Sequence, residues 1–135
     1  MPDDHARAPG ALLMLARALR RRCPHCGAGG LFTGWFRART RCPGCGLTLL
    51  RGDEGYAVGT YLFNLVVSEL LLMALLAGVV IGTWPEPPWD GLARWSVVLM
   101  VVAPILLYPF ARLLFLAADL AFRPARPEEL GRPTG

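Results

Sequence analysis

Four cysteines fall in two pairs, "CPHC" at Cys23 and Cys26 and "CPGC" at Cys42 and Cys45, giving the pattern C-x2-C-x15-C-x2-C. Two residues between paired cysteines let a tight turn aim both sulfurs at one ion. Gly27 and Gly46 follow the pairs and permit the turn that completes each knuckle. Four thiolates at about 2.3 Å make a closed tetrahedral site, and this spacing is the one used for structural zinc. Zn(2+) is therefore the expected cofactor, with a single iron as the alternative, since thiolate knuckles also hold iron. Disulfides fit poorly with the reducing compartment argued for below. A thioredoxin-like redox pair would need a βαβ pattern, and two equivalent pairs stand here instead. His25 lies inside the first turn and is not needed as a ligand, and His5 is given no role.

A second constellation lies in apolar surroundings. Glu69 and Arg112 sit within two long apolar runs. Glu69 is nine residues into the first run, about 13 Å deep at 1.5 Å per residue. Arg112 is about seven to ten residues from the end of the second, a depth of about 10–15 Å. In an antiparallel hairpin the two would be level, and pairing is the natural answer to charge in hydrocarbon. Asn64, Ser68, Tyr108 and Asp119 add polar groups on neighbouring faces. Such a set can be structural glue between helices or a proton or ion path. Glue is preferred, because two helices cannot enclose a pore.

These groups have to be held by the elements around them. The chain of 135 residues is 54% hydrophobic, with a mean hydropathy of +0.42, too apolar for an ordinary soluble domain. The soluble remainder is too short to fold on a hydrophobic core alone. Residues 60–84 and 95–118 are each long enough to span a hydrocarbon core of about 30 Å. Leu70 to Gly82 is apolar on every face. The second run has thirteen Leu, Ile, Val or Phe residues, each contributing roughly −0.3 to −0.6 kcal/mol to insertion. One arginine costs at most about 3.5 kcal/mol, so the apolar term wins. Pro104 and Pro109 should kink this helix. The intervening "PEPPWDGLAR" cannot continue a helix.

The expected organisation is an N-terminal segment (1–22) with a short amphipathic helix, a four-cysteine domain (23–50), a two-span hairpin (51–124) and a disordered tail (125–135). In 11–22, Leu12, Leu15, Ala16 and Leu19 recur at spacings of three and four, with Arg17, Arg20 and Arg21 to one side. This suits a helix in the headgroup region or one packed on its own protein. The run "ALLMLARAL" is followed by its arginines, unlike a cleavable signal peptide. Between the knuckles, Leu31, Phe32, Trp35 and Phe36 are the large apolar groups available to cover the metal. A small antiparallel β-ribbon is the simplest structure there. Arg37, Arg39 and Arg41 alternate and would share one face. A solvated face is the plainest reading; contact with lipid or, less favoured, nucleic acid is the functional one.

The net charge is +4, and all fourteen basic residues are Arg. Nine precede Tyr61, and only Arg94 stands between the two spans. The excess keeps both termini cytoplasmic, with Trp84, Trp89 and Trp95 at the outer interface.

"RCPHCGAGGLF", "RCPGCGL", "GDEGY" and a hairpin ending "LYPFARLLFLAADLAFRP" together resemble the bacterial family called domain of unknown function 983, over about residues 21–124. Many relatives carry a Gly-Asp-Gly-Pro run where this chain has "GDEGYAVG". The resemblance implies a small multi-pass protein of the bacterial inner membrane with a cytoplasmic metal ribbon on Cys23, Cys26, Cys42 and Cys45. Relatives encoded beside respiratory oxidase genes hint at assembly.

The expected fold is a membrane α-helical hairpin of two transmembrane helices, preceded by a small β zinc-ribbon-like domain. The expected function is that of a non-enzymatic accessory, assembly or interaction protein. Its partners would be the bilayer and either a membrane protein or further copies of the chain. A rubredoxin-like iron electron-transfer protein and a membrane-tethered nucleic-acid binder are the alternatives. No Ser/His/Asp set, open metal site or phosphate loop suggests an enzyme.

Overall fold

The protein is described by a computed structural model, which covers residues 9–51 and 54–131. His5, Gly52, Asp53 and residues 132–135 lie outside these, as does the side chain of Glu54. Three helices form: α1 (Ala11–Leu19), α2 (Glu54–Gly82) and α3 (Trp89–Phe122). The cysteine segment lies between α1 and α2.

α2 and α3 make an antiparallel hairpin. Asn64 Nδ2 donates to the Pro104 carbonyl at 3.0 Å. Tyr61 stacks on Tyr108, and Tyr56 packs edge-on against Phe115. Thr60, Asn64, Ser68 and Leu72 recur every fourth residue and form the buried stripe of α2. Small and polar groups let two helices approach where apolar side chains gain nothing from meeting each other rather than lipid. Both helices are long and apolar enough to cross a membrane.

α3 has two environments along its length. From Trp95 to Leu106 its large apolar side chains are exposed, whereas Tyr108, Ala111, Leu113, Leu116, Ala117 and Leu120 are buried. Exposed indoles at Trp84, Trp89 and Trp95 mark the far end. From Trp89 to Tyr108 is about 29 Å at 1.5 Å per residue, close to the thickness of a hydrocarbon core. The last turns of α3 therefore extend beyond the stretch suited to lipid and face protein.

That protein is a single shared core. Met14 and Ala18 of α1, Cys23, Leu31, Cys42, Leu47 and Leu49 of the cysteine segment, and Leu113, Leu116, Ala117 and Leu120 of α3 pack together. The expected β-ribbon does not form: among the described residues there are only isolated bridges, Phe32 with Ala38, Arg41 with Thr48 and Leu47 with Leu130. The reason lies in the backbone. Each knuckle consumes its own main-chain groups in turns, and Gly27, Gly29, Gly30 and Gly34 weaken any extended pairing between them. The cover of the cysteines also differs from the expectation. Leu31 is buried there, but Trp35 and Phe36 reach α3 instead. Trp35 Nε1 donates to the Ile105 carbonyl at 2.7 Å. Pro109 has no N–H to offer that carbonyl, so the indole replaces the missing helical bond.

α1 packs on the rest of the chain along one side. Met14 and Ala18 pack on α3, while Leu12, Leu15 and Leu19 remain exposed. It ends in a Schellman motif: Arg22 N–H donates to the Arg17 carbonyl and Arg21 N–H to the Ala18 carbonyl. Arg21 takes the left-handed position at φ 57, where a side chain costs roughly 1–2 kcal/mol. Its guanidinium lies 5.3 Å from the Phe32 ring and 5.1 Å from the Trp35 ring. Two such contacts, at about 0.5–1 kcal/mol each, offset that cost.

The stretch 123–131 folds back on the cysteine segment, with Leu130 bridging to Leu47 and Gly131 lying against Gly46. Arg51 holds it. Its guanidinium bonds Asp119 Oδ2 at 2.8 Å, Glu129 Oε2 at 2.8 Å and the Arg123 carbonyl at 2.8 Å. Burial opposes the Arg51 charge, but Glu129 and Asp119 more than offset it and raise its pKa. Glu129 is in turn held below its ordinary value of 4.5, chiefly by its bond to Arg51. A depressed carboxylate stabilises fully above its unfolded pKa and less as the pH falls through its folded one. Acidification below 4.5 should therefore release the tail. Comparing the thermal midpoint of the protein with that of Glu129→Gln between neutral and acidic pH checks this. The difference between the two should shrink in acid.

Candidate metal centre

The two knuckles have the same construction. Cys23 N–H donates to the Ala28 carbonyl, and Gly27 N–H to the Cys23 carbonyl. Cys42 N–H donates to the Leu47 carbonyl, and Gly46 N–H to the Cys42 carbonyl. Each turn closes through a glycine of positive φ, Gly27 at 79 and Gly46 at 73. Gly46 also has the Gly131 backbone against it, where a Cβ would collide. The knuckles meet at Gly44, where a Cβ would lie 3.0 Å from Cys26 Sγ and 2.8 Å from the Ala28 methyl.

The four sulfurs converge within 4.8 Å of one another. Cys23 and Cys45 are 3.9 Å apart, and Cys26 and Cys42 are 3.5 Å apart. A tetrahedron with metal–sulfur bonds of about 2.3 Å has sulfur–sulfur edges of about 3.8 Å. The set is therefore already at the size of a metal site and far from the S–S bond length of about 2.05 Å. Ala28 N–H points at Cys26 Sγ and Gly44 N–H at Cys42 Sγ, each at 3.4 Å. At Cys42 the bond favours the thiolate.

The sulfurs dominate one another's protonation. Its neighbours Cys42 and Cys45, together with burial, push the Cys23 thiol far up. Contact with Cys23 and Cys45 pulls Cys42 well down, against the effect of burial. Cys23 lowers Cys45, but Cys42 and burial raise it, to about 12 overall. Four anions cannot share this space unaided, and a cation among them makes four thiolates compatible. The residues fit a metal ion with a complete sulfur shell and no open position.

Arg17 fixes the first knuckle to α1, donating from Nη1 to the carbonyls of Pro24 at 3.3 Å and His25 at 2.8 Å. Sequence reading grouped Arg17 with the headgroup arginines and overlooked this role. The signal was its place in the last turn of α1, within reach of the knuckle carbonyls. Arg37, Arg39 and Arg41 are all exposed.

Glu69 and Arg112 are not brought together. Asn64 faces Pro104, so Glu69 is level with about residue 99, some 20 Å along α3 from Arg112. Glu69 is exposed on the outer flank of α2. Arg112 donates instead to Tyr108 Oη at 3.2 Å. The turns of α3 after Tyr108 carry the buried residues Leu113, Leu116, Ala117 and Leu120, which pack on α1 and the cysteine segment. Asp119 likewise belongs to the Arg51 clasp.

Cys42→Ser should abolish metal binding and unfold residues 23–49, because binding and folding of such a site are coupled. Metal analysis with far-UV circular dichroism of the purified variant checks this. His25→Ala should keep its metal.

Comparison with known proteins gives one result. The family described as "Protein of unknown function (DUF983)" matches residues 32–119, from Phe32 to Asp119. No curated protein and no solved structure matches the chain. The matched stretch takes in the second knuckle, both long helices and the Asp119 that Arg51 binds. On that span, the chain belongs to the DUF983 family.

Proposed function

We propose that the chain is a non-enzymatic accessory protein of the bacterial inner membrane. It would dock a membrane-protein partner or a further copy of itself, with its metal module held rigidly at the cytoplasmic face. Glu69 carries this reading. It is exposed among Leu62, Leu65, Val66, Leu70 and Met73, about 12 Å along α2 from Tyr61. Among the described residues it has no hydrogen-bond or ion-pair partner. A carboxylate at mid-depth facing hydrocarbon is costly, so a polar or basic group from a neighbouring helix is its natural complement. The closed sulfur shell supports a structural metal, zinc by its spacing. The shared core supports the rest, since the metal module is packed onto α3 and not free on a tether.

One observation favours the iron alternative: Cys26 is exposed, which would give an electron a short route to a partner.

Two experiments test these readings. Protein isolated in mild detergent should carry one zinc per chain and bring a partner helix with it. Glu69→Leu should lose that partner and keep the zinc. A red iron form would replace the zinc reading, and a bare monomer that is unaffected by Glu69→Leu would overturn the docking reading. For topology, the arginine bias supports a cytoplasmic side for both ends. A reporter active only in the periplasm should be silent at Gly135 and active near Asp90.

A further inference from the structure

The seam between α2 and α3 opens into two adjoining hollows. The first, of about 170 Å³, is lined by Leu50, Ala57, Thr60, Tyr61, Tyr108 and Arg112. The second, of about 350 Å³, runs along Val58, Tyr61, Leu62, Asn64, Leu65 and Pro104. Tyr61 is a wall of both. Residues 58 to 65 lead from the level of Arg112 toward the middle of the apolar stretch. The charged hollow is thus at the end near the metal module, and the largely apolar groove runs away from it.

Arg112 is the cation of the first hollow. Its guanidinium has five N–H donors and makes one side-chain bond, to Tyr108 Oη. Among the described residues no carboxylate pairs with it. Asp119, two turns further along α3, is engaged by Arg51 and Arg123, and Glu129 by Arg51. Tyr61 and Tyr108 stack beside it with ring centroids 6.0 Å apart, at the level where tyrosines border a bilayer. A fixed positive fork at the water boundary, continuous with an apolar groove pointing into the membrane, complements an amphiphile with an anionic head. Arginine recognises phosphate oxygens in bidentate fashion.

We infer that this seam binds an anionic phospholipid, with the headgroup phosphate on Arg112 and one acyl chain along Val58, Leu62, Leu65 and Pro104. The inference rests on the membrane reading above. A structural lipid here would fill the notch between the two helices directly above the metal module. It would also supply Arg112 with the counter-charge that the hairpin does not.

The test uses the full chain, delipidated in detergent and titrated with phosphatidylglycerol, phosphatidylcholine or inorganic phosphate, with binding followed by native mass spectrometry. Phosphatidylglycerol should bind best, and Arg112→Gln should weaken it at least about tenfold. Leu62→Trp, which fills the groove and leaves the charge alone, should also weaken it. Arg39→Gln should not. Equal binding of phosphatidylglycerol by the unaltered chain and by both seam variants would overturn the site. Full competition by inorganic phosphate would show a free-anion site and overturn the lipid assignment. Membrane extraction separates the two readings: release by alkaline carbonate without detergent would defeat the membrane reading itself. An integral protein with equal lipid binding across variants would defeat only the seam.

Discussion

One guanidinium joins the parts of this molecule. The Arg51 side chain is 8% exposed, and a charge removed that far from water survives only with partners on its remaining donors. They come from the turn of α3 that carries Asp119, from the carbonyls at the end of α3, and from Glu129 in the tail. Arg51 itself follows directly from the second knuckle. The exit of the cysteine segment, the end of a long helix and the tail are thereby tied at one point. Removing one partner alone would leave a buried charge unmet, so the elements hold together as a set.

This closure gives α3 two tasks. Its first part carries exposed apolar side chains and its last part is the floor on which the cysteine knuckles and α1 are laid. A four-cysteine segment this short has little core of its own. It borrows one from α3, and a metal on its four sulfurs would add the rest. The module therefore turns with α3 as one body. Trp35, bonded to the Ile105 carbonyl one turn before Pro109, makes a second attachment nearer the middle of α3.

Much of this was legible in the sequence, in proportion to how local the cause is. The cysteine spacing and the glycines after each pair determine the knuckles within a few residues, and the sulfurs do converge. The two apolar runs were visible because hydropathy sums over many residues. The register of the hairpin was not, since it depends on Asn64 meeting Pro104 and on how α3 packs on the cysteine segment; an apolar Leu116 reads alike whether exposed or buried. The contacts of residues 123–131 with Arg51 and Leu47 are likewise too distant in sequence for composition to show. The ribbon failed for a local reason, since glycine-rich turns used up the main-chain groups that strands would have paired.

The core shared by the knuckles and α3 also sets an order of biosynthesis. The second pair of cysteines leaves the ribosome about 70 residues ahead of Leu113, Leu116 and Leu120. At roughly 5–20 residues per second this is a delay of several seconds. During it the knuckles can gather their sulfurs, but the apolar side of Leu31, Leu47 and Leu49 has only Met14 and Ala18 of α1 for cover. The larger share, from α3, arrives only after both long helices have been synthesised. The soluble-looking first third of the chain thus completes its fold last, after the two long helices that follow it.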